Sequence, residues 1–73
     1  MNKELKLSYK PLRHTLVEKE KNLSYIRNNT NISSATLAKI NKDEPISLTS
    51  VIRICELFDC NLNDVVEIIR VKG

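Results

Sequence analysis

Seventy-three residues provide for one small domain and one modest core. Apolar residues make up 41% of the chain, with a single glycine and two prolines, which excludes wholesale disorder and argues against a turn-rich β architecture. The net charge is only +3 but unevenly spread: residues 24–42 carry Arg27, Lys39 and Lys42 and no acid, whereas residues 43–73 are net acidic, a distribution suited to one face meeting an anionic partner.

The predicted elements follow from apolar periodicity and from recurring start signals. The first ten residues, MNKELKLSYK, carry charges but no apolar stretch of the signal-peptide kind. Leu5 and Leu7 alternate with charged residues there, as Ile69 and Val71 do near the other end, which leaves room for a short antiparallel pairing of the two ends. A first helix is expected over about 9–20, with Leu12, Leu16 and Val17 inward, Tyr9 at the edge and Pro11 in the first turn, where a missing N–H costs little. Asn22, Ser33, Ser47 and Asn61 are each a good N-cap type ahead of an apolar-periodic stretch. Ile32 with Leu37, and Ile46 with Val51, add the hydrophobic contact that fixes how a chain enters a helix. A second helix is expected over about 23–30, anchored by Ile26, and a third over about 34–42, with Leu37 and Ile40 inward and Asp43-Glu44-Pro45 ending it. A fourth over about 48–58 buries Leu48, Val51, Ile52, Cys55 and Phe58. A fifth over about 62–69 places Leu62, Val65, Val66 and Ile69 on one face. The fold class is therefore all-α, a single five-helix domain over residues 1–73.

The informative stretch is 22–42, NLSYIRNNTNISSATLAKINK. Two short helices meet across about three residues, Asn31 to Ser33. Asn31 is taken as the turn residue, because Asn tolerates a left-handed backbone better than any residue but glycine. A tight corner of this kind sends the second helix off at a large angle, which is helix-turn-helix geometry. The projecting helix can then enter a DNA major groove ~12 Å wide.

Ile26, Ile32, Leu37 and Ile40, with Ser33-Ser34-x-Thr36-Leu37-Ala38-Lys39 around them, carry a family likeness. Ile46-Ser47 and Arg53-Ile54-Cys55-Glu56 through Asp59-Cys60 to Asp64-Val65 extend it. On these residues the stretch 9–69 resembles the Cro and lambda-repressor-like (XRE-type) helix-turn-helix family, in particular its short single-domain bacterial members of the YozG kind. Three positions depart from the family pattern. Arg27 stands where a small residue is usual, so it must lean outward or open the helix crossing. Asn31 replaces glycine at the turn. Leu23 replaces a polar residue, commonly glutamine, that contacts phosphate, which leaves that role to Asn22, Ser24 or the helix start.

The resemblance implies a sequence-specific DNA-binding transcriptional regulator, expected to be a repressor, with helix 34–42 in the major groove of double-stranded DNA. Matching family positions reach base edges: Lys39 suits guanine O6 or N7, Ala35 a thymine methyl, and Ser34 a hydrogen bond to either. Ser33 caps the helix first, and Thr36 is assigned to the backbone or to packing. Asn41 and Lys42 suit phosphates. Arg27 is a phosphate candidate, with an ion pair to Glu18, Glu20 or Glu56 as the alternative. Tyr25 either meets the sugar-phosphate backbone or packs. A helix of this size reads few base pairs, so a homodimer on two half-sites about 34 Å apart is expected. Its preferred surface is Val65, Ile68 and Ile69, or the terminal segments. The rival reading is a protein-interaction or antitoxin-like module using that same apolar C-terminal surface.

An enzyme is not expected. No nucleophile, base and orienting group converge in sequence, and the lone glycine is Gly73, so no phosphate-cradling loop exists. Cys55 and Cys60 read as free structural thiols of a cytoplasmic protein, and with the distant His14 they do not make a zinc site. No cofactor and no membrane span are expected.

Overall fold

The computed structural model describes residues 4–71. In chain order it contains β1 (Leu5–Ser8), α1 (Lys10–Glu18), α2 (Leu23–Asn29), α3 (Ser34–Asn41), α4 (Leu48–Phe58), a single 3₁₀ turn (Leu62–Asp64) and β2 (Glu67–Arg70). β1 and β2 form an antiparallel pair in which Leu5 faces Arg70 and Leu7 faces Ile68. The antiparallel pairing that the alternating end segments allow is present, and four helices, not the expected five, are formed among the described residues. No helix among the described residues is long and apolar enough to cross a membrane.

The expected fifth helix fails for a definable reason. Val65, Val66, Ile68, Ile69 and Val71 form a β-branched run. Such side chains lose rotamer freedom in a helix and pack well on a pleated surface. Leu5–Ser8 supplies the partner strand, so the helical stretch stops after one turn, held by the Asn61 amide donating to Asp64 Oδ2 at 3.1 Å. Leu62 and Ile69 are consequently exposed, and Val65 alone of the expected face is fully buried.

The core gathers Tyr9, Leu12, Leu16, Ile26, Ile32, Leu37, Ile40, Val51, Ile54, Phe58 and Val65. Two helix faces differ from expectation. Val17 is 76% exposed while Tyr9 is buried, and on α4 Leu48 and Ile52 are exposed while Ile54 is fully buried. The α4 face is therefore the 51–54–58 stripe, which also meets helical spacing. The start of α1 is satisfied by β1 and by the residue that follows the 3₁₀ turn. The Lys10 amide donates to Ser8 Oγ at 3.2 Å, Pro11 has no N–H to place, and the Leu12 amide donates to the Val65 carbonyl at 3.1 Å. Thr15 Oγ1 donates to the Asp64 carbonyl at 2.8 Å. The end of β1 and the 3₁₀ turn are thereby tied to α1.

Among the described residues, helix ends are made without glycine. Glu20, Asp43 and Asp59 adopt positive φ of 57°, 57° and 54°. They stand just past α1, α3 and α4, where bonds from Lys21 to Leu16, Glu44 to Lys39, and Cys60 to Cys55 close each helix. This is the pattern a left-handed residue permits at a helix C-terminus. Cys55 and Cys60, the two ends of the last such bond, are free, half-buried thiols. Burial and the neighbouring Cys55 raise the Cys60 thiol to about 11.

Candidate nucleic-acid interface

α2 and α3 start as the sequence predicts. Asn22 Oδ1 accepts from the Tyr25 amide at 3.2 Å, and Ser33 Oγ accepts from the Thr36 amide at 3.2 Å. Each cap satisfies one of the amides that a helix start leaves without an intrahelical partner. Ile32 and Leu37, flanking the second cap, are both buried.

The corner between the helices is built differently from expectation. Asn31 does not have a positive φ. The chain instead leaves α2 at Thr30 in an extended conformation, φ −142° and ψ 177°. Thr30 Oγ1 donates to the Ile26 carbonyl at 2.7 Å and accepts from the Ile32 amide at 3.1 Å. One hydroxyl therefore serves as both the C-terminal cap of α2 and the brace of the turn. An extended exit needs no left-handed residue, which is why glycine is dispensable here. The local signal for this role is a Thr four residues after Ile26, since Ser and Thr hydroxyls reach the carbonyl one turn back.

Past the corner, α3 presents Ser34, Ala35, Ala38 and Lys39 to solvent, and Lys42 follows at its end, all exposed. Thr36 is half-buried and its Oγ1 accepts from Ser33 Oγ at 3.2 Å. Asn22, Ser24 and Arg27 are exposed on the α2 side. A shallow cleft between the helices is lined by Leu23, Ser24, Arg27, Ser34, Leu37 and Ala38. Arg27 leans outward, as its size requires, and its Nη1 lies 3.3 Å from Ser34 Oγ. The only ion pair among the described residues is Arg13 with Asp43, so the expected alternative for Arg27, a pair with Glu18, Glu20 or Glu56, is not formed.

Tyr25 packs. Its ring is 5.9 Å from that of Phe58, and Lys21 Nζ stands 4.4 Å above its centroid. His14 is exposed on α1.

The far end of α3 is clamped to α1. Asp43 Oδ1 accepts from the Tyr9 amide at 2.9 Å and from Arg13 Nη2 at 3.3 Å, while the Tyr9 hydroxyl donates to the Glu44 carbonyl at 2.7 Å. The Tyr9 amide bond, followed by the Arg13 charge, holds the Asp43 carboxyl below its usual range. Burial, with the Asp43 charge second, raises the Tyr9 phenol. The first carboxylate after α3 is thus engaged with α1. Sequence reasoning did not find this clamp, because Tyr9 and Asp43 are 34 positions apart.

Two short helices joined by a braced corner, the second capped, anchored at both ends and bare on one face, define a helix-turn-helix domain. Residues 11–70 match the model of the Cro/C1-type HTH DNA-binding domain, and the chain belongs to that family. Among solved structures it is similar to a crystal form of the transcriptional regulator VanUg, with 28% identity and a TM-score of 0.88 over 97% of this chain and 93% of that one. No curated protein sequence matches the chain.

Proposed function

We propose that this protein is a sequence-specific transcriptional regulator that binds double-stranded DNA with α3 in the major groove and represses by occupying its site. The observation that carries the reading is the bare face of α3. Ser34, Ala35, Ala38 and Lys39 are all exposed, on a stretch that holds cations and no carboxylate. Small side chains let the helix approach base edges, and Lys39 donates to guanine or to phosphate. Ser24, Asn22 and Lys42 flank that face and suit phosphates. Ser33 and Thr36 are bonded to each other and to the helix start, so they set the position of α3 more than they read bases. The likeness to a protein described as a transcriptional regulator supports the same reading.

The regulator is expected to act as a homodimer, since one short helix discriminates few base pairs. Val65 is fully buried and is unavailable for pairing. The exposed aliphatic residues Leu5, Leu48, Ile52, Leu62 and Ile68 instead offer a band for a second copy. Leu48 and Leu62 line both a shallow groove along α4 and one beside the sheet, Ile68 lines the second, and Leu5 shares a further groove with Ile68, so the band is continuous. A protein-interaction module would use the same band.

The test is binding of a labelled random-sequence duplex across a salt series, with sedimentation of the free protein alongside. A DNA binder loses affinity linearly in log salt, with slope near −0.9 per neutralised phosphate. Absence of binding at ~50 mM salt would refute the DNA reading and leave the apolar band as the functional surface.

A further inference from the structure

Arg27, exposed on α2, reaches across the helix corner to Ser34, and that contact gives it a place beside the bare face of α3. We infer that Arg27 is a specificity-determining residue that reads a guanine, aimed by Ser34; the inference rests on the DNA-binding reading above. Arg27 lies on α2, one turn after Leu23, on the side that lines the cleft against α3. From there its guanidinium crosses to Ser34 Oγ at 3.3 Å. Ser34 is the first residue of α3, and in helix-turn-helix docking it is the N-terminal part of the second helix that meets base edges. The side chain is therefore carried to the reading end of α3 by the neighbouring helix.

Its electrostatic situation suits an acceptor-rich partner. Among the described residues no carboxylate pairs with Arg27. The start of an eight-residue helix lies beside it, and that end of a helix is positive. Two positive potentials therefore lie together with one hydrogen bond to a hydroxyl between them, and the solvent-facing guanidinium keeps donors free to exchange water for an added acceptor. One donor is used by Ser34, and the rest of the planar fork remains open. Guanine O6 and N7 offer paired acceptors that match this fork, which an ammonium cannot engage in the same way. Lys39, one helical turn and more along α3, is then the weaker reader of the two.

The test is selection of bound sequences from a random duplex pool by the wild type, Arg27→Ala, Arg27→Lys and Ser34→Ala. Affinities for the selected site and its single-base variants are then measured at several salt concentrations. Arg27 is exposed, so the variants are expected to fold, and circular dichroism checks this. The expected result is a wild-type site with a fixed G·C pair that Arg27→Ala and Arg27→Lys both stop selecting. Discrimination at that pair should fall about tenfold to a hundredfold, with other positions kept. Ser34→Ala should relax the same pair without changing the salt slope. An equal loss on all sequences, with the salt slope reduced by about one in Arg27→Ala and restored in Arg27→Lys, would make Arg27 a phosphate contact and overturn the inference. Unchanged selection in both Arg27 variants would also overturn it. A wild type that binds duplex but selects no sequence overturns specificity itself, and a wild type that binds no duplex overturns the underlying reading.

Discussion

Replacing Thr30 by valine isolates the device that holds the helix-turn-helix corner. Valine keeps the shape and the β-branch, and it suits the extended backbone found at this position, φ −142° and ψ 177°. The substitution therefore removes only the hydroxyl. Two hydrogen bonds go with it, to the Ile26 carbonyl at 2.7 Å and from the Ile32 amide at 3.1 Å. Each is worth about 1 kcal/mol net, and both backbone groups are partly buried, so water recovers some of the loss. The expected destabilisation is about 1–2 kcal/mol, which lowers Tm by on the order of 5–15 °C in a domain of this size. Thr30→Ser keeps the hydroxyl and should lose less than half as much. Asn31→Gly is the informative companion. A left-handed Asn31 would be relieved by glycine, whereas the observed backbone predicts no gain, or a loss of a few tenths of a kcal/mol from chain entropy. Thermal and urea unfolding, followed by circular dichroism, measure all three. A Thr30→Val protein within about 0.3 kcal/mol of wild type, or a clear gain in Asn31→Gly, would refute the proposed construction of the corner.

Three further expectations follow from the same geometry. Glu20→Gly and Asp59→Gly should each stabilise by about 0.5–1 kcal/mol by relieving a left-handed backbone, while Asp43→Gly should not, because it also removes the acceptor for Tyr9 and Arg13; urea midpoints compare them. The Asp43 carboxyl is lowered by its bonds to Tyr9 and Arg13. Its contribution is therefore present above the unfolded carboxyl value of about 3.9 and is lost as pH falls through the lower folded value. Asp43→Asn should flatten the acid side of a Tm-versus-pH curve, and an unchanged acid limb would count against the clamp. Ile54→Ala should cost about 2–5 kcal/mol, whereas Ile52→Ala should change stability by less than about 1 kcal/mol in the monomer; equal losses would mean that α4 is rotated from its described face.

How much of this was legible in the sequence depends on the range of the forces involved. The starts of α2, α3 and α4 were readable because Asn22, Ser33 and Ser47 each bond to an amide three residues on. That chemistry is local, and two of the three starts are also stapled by apolar neighbours. The bare face of α3 was readable for the same reason, since Leu37 and Ile40 fix which side turns inward. The segment after Asn61 was not. Its β-branched residues satisfy a helical repeat and an alternating one equally well, and the choice was made by a strand more than 50 positions away. Faces on α1 and α4 were misjudged at their edges: Val17 was placed inward beside Leu16, and Leu48 and Ile52 were placed inward where Ile54 is the buried residue. Only the packed partners decide such pairs. At the candidate interface, the contact between Arg27 and Ser34 depends on how α2 crosses α3, which no single window of sequence contains.

Whether α3 is the surface that meets DNA is tested most directly by backbone amide shifts on titration with a selected duplex. Progressive perturbation should centre on Ser33 to Lys39, with Ser24, Arg27 and Lys42 beside it and little change on the sheet. Shifts confined to β1, β2 and the exposed end of α4, with Ser34, Ala35 and Lys39 unmoved, would contradict it.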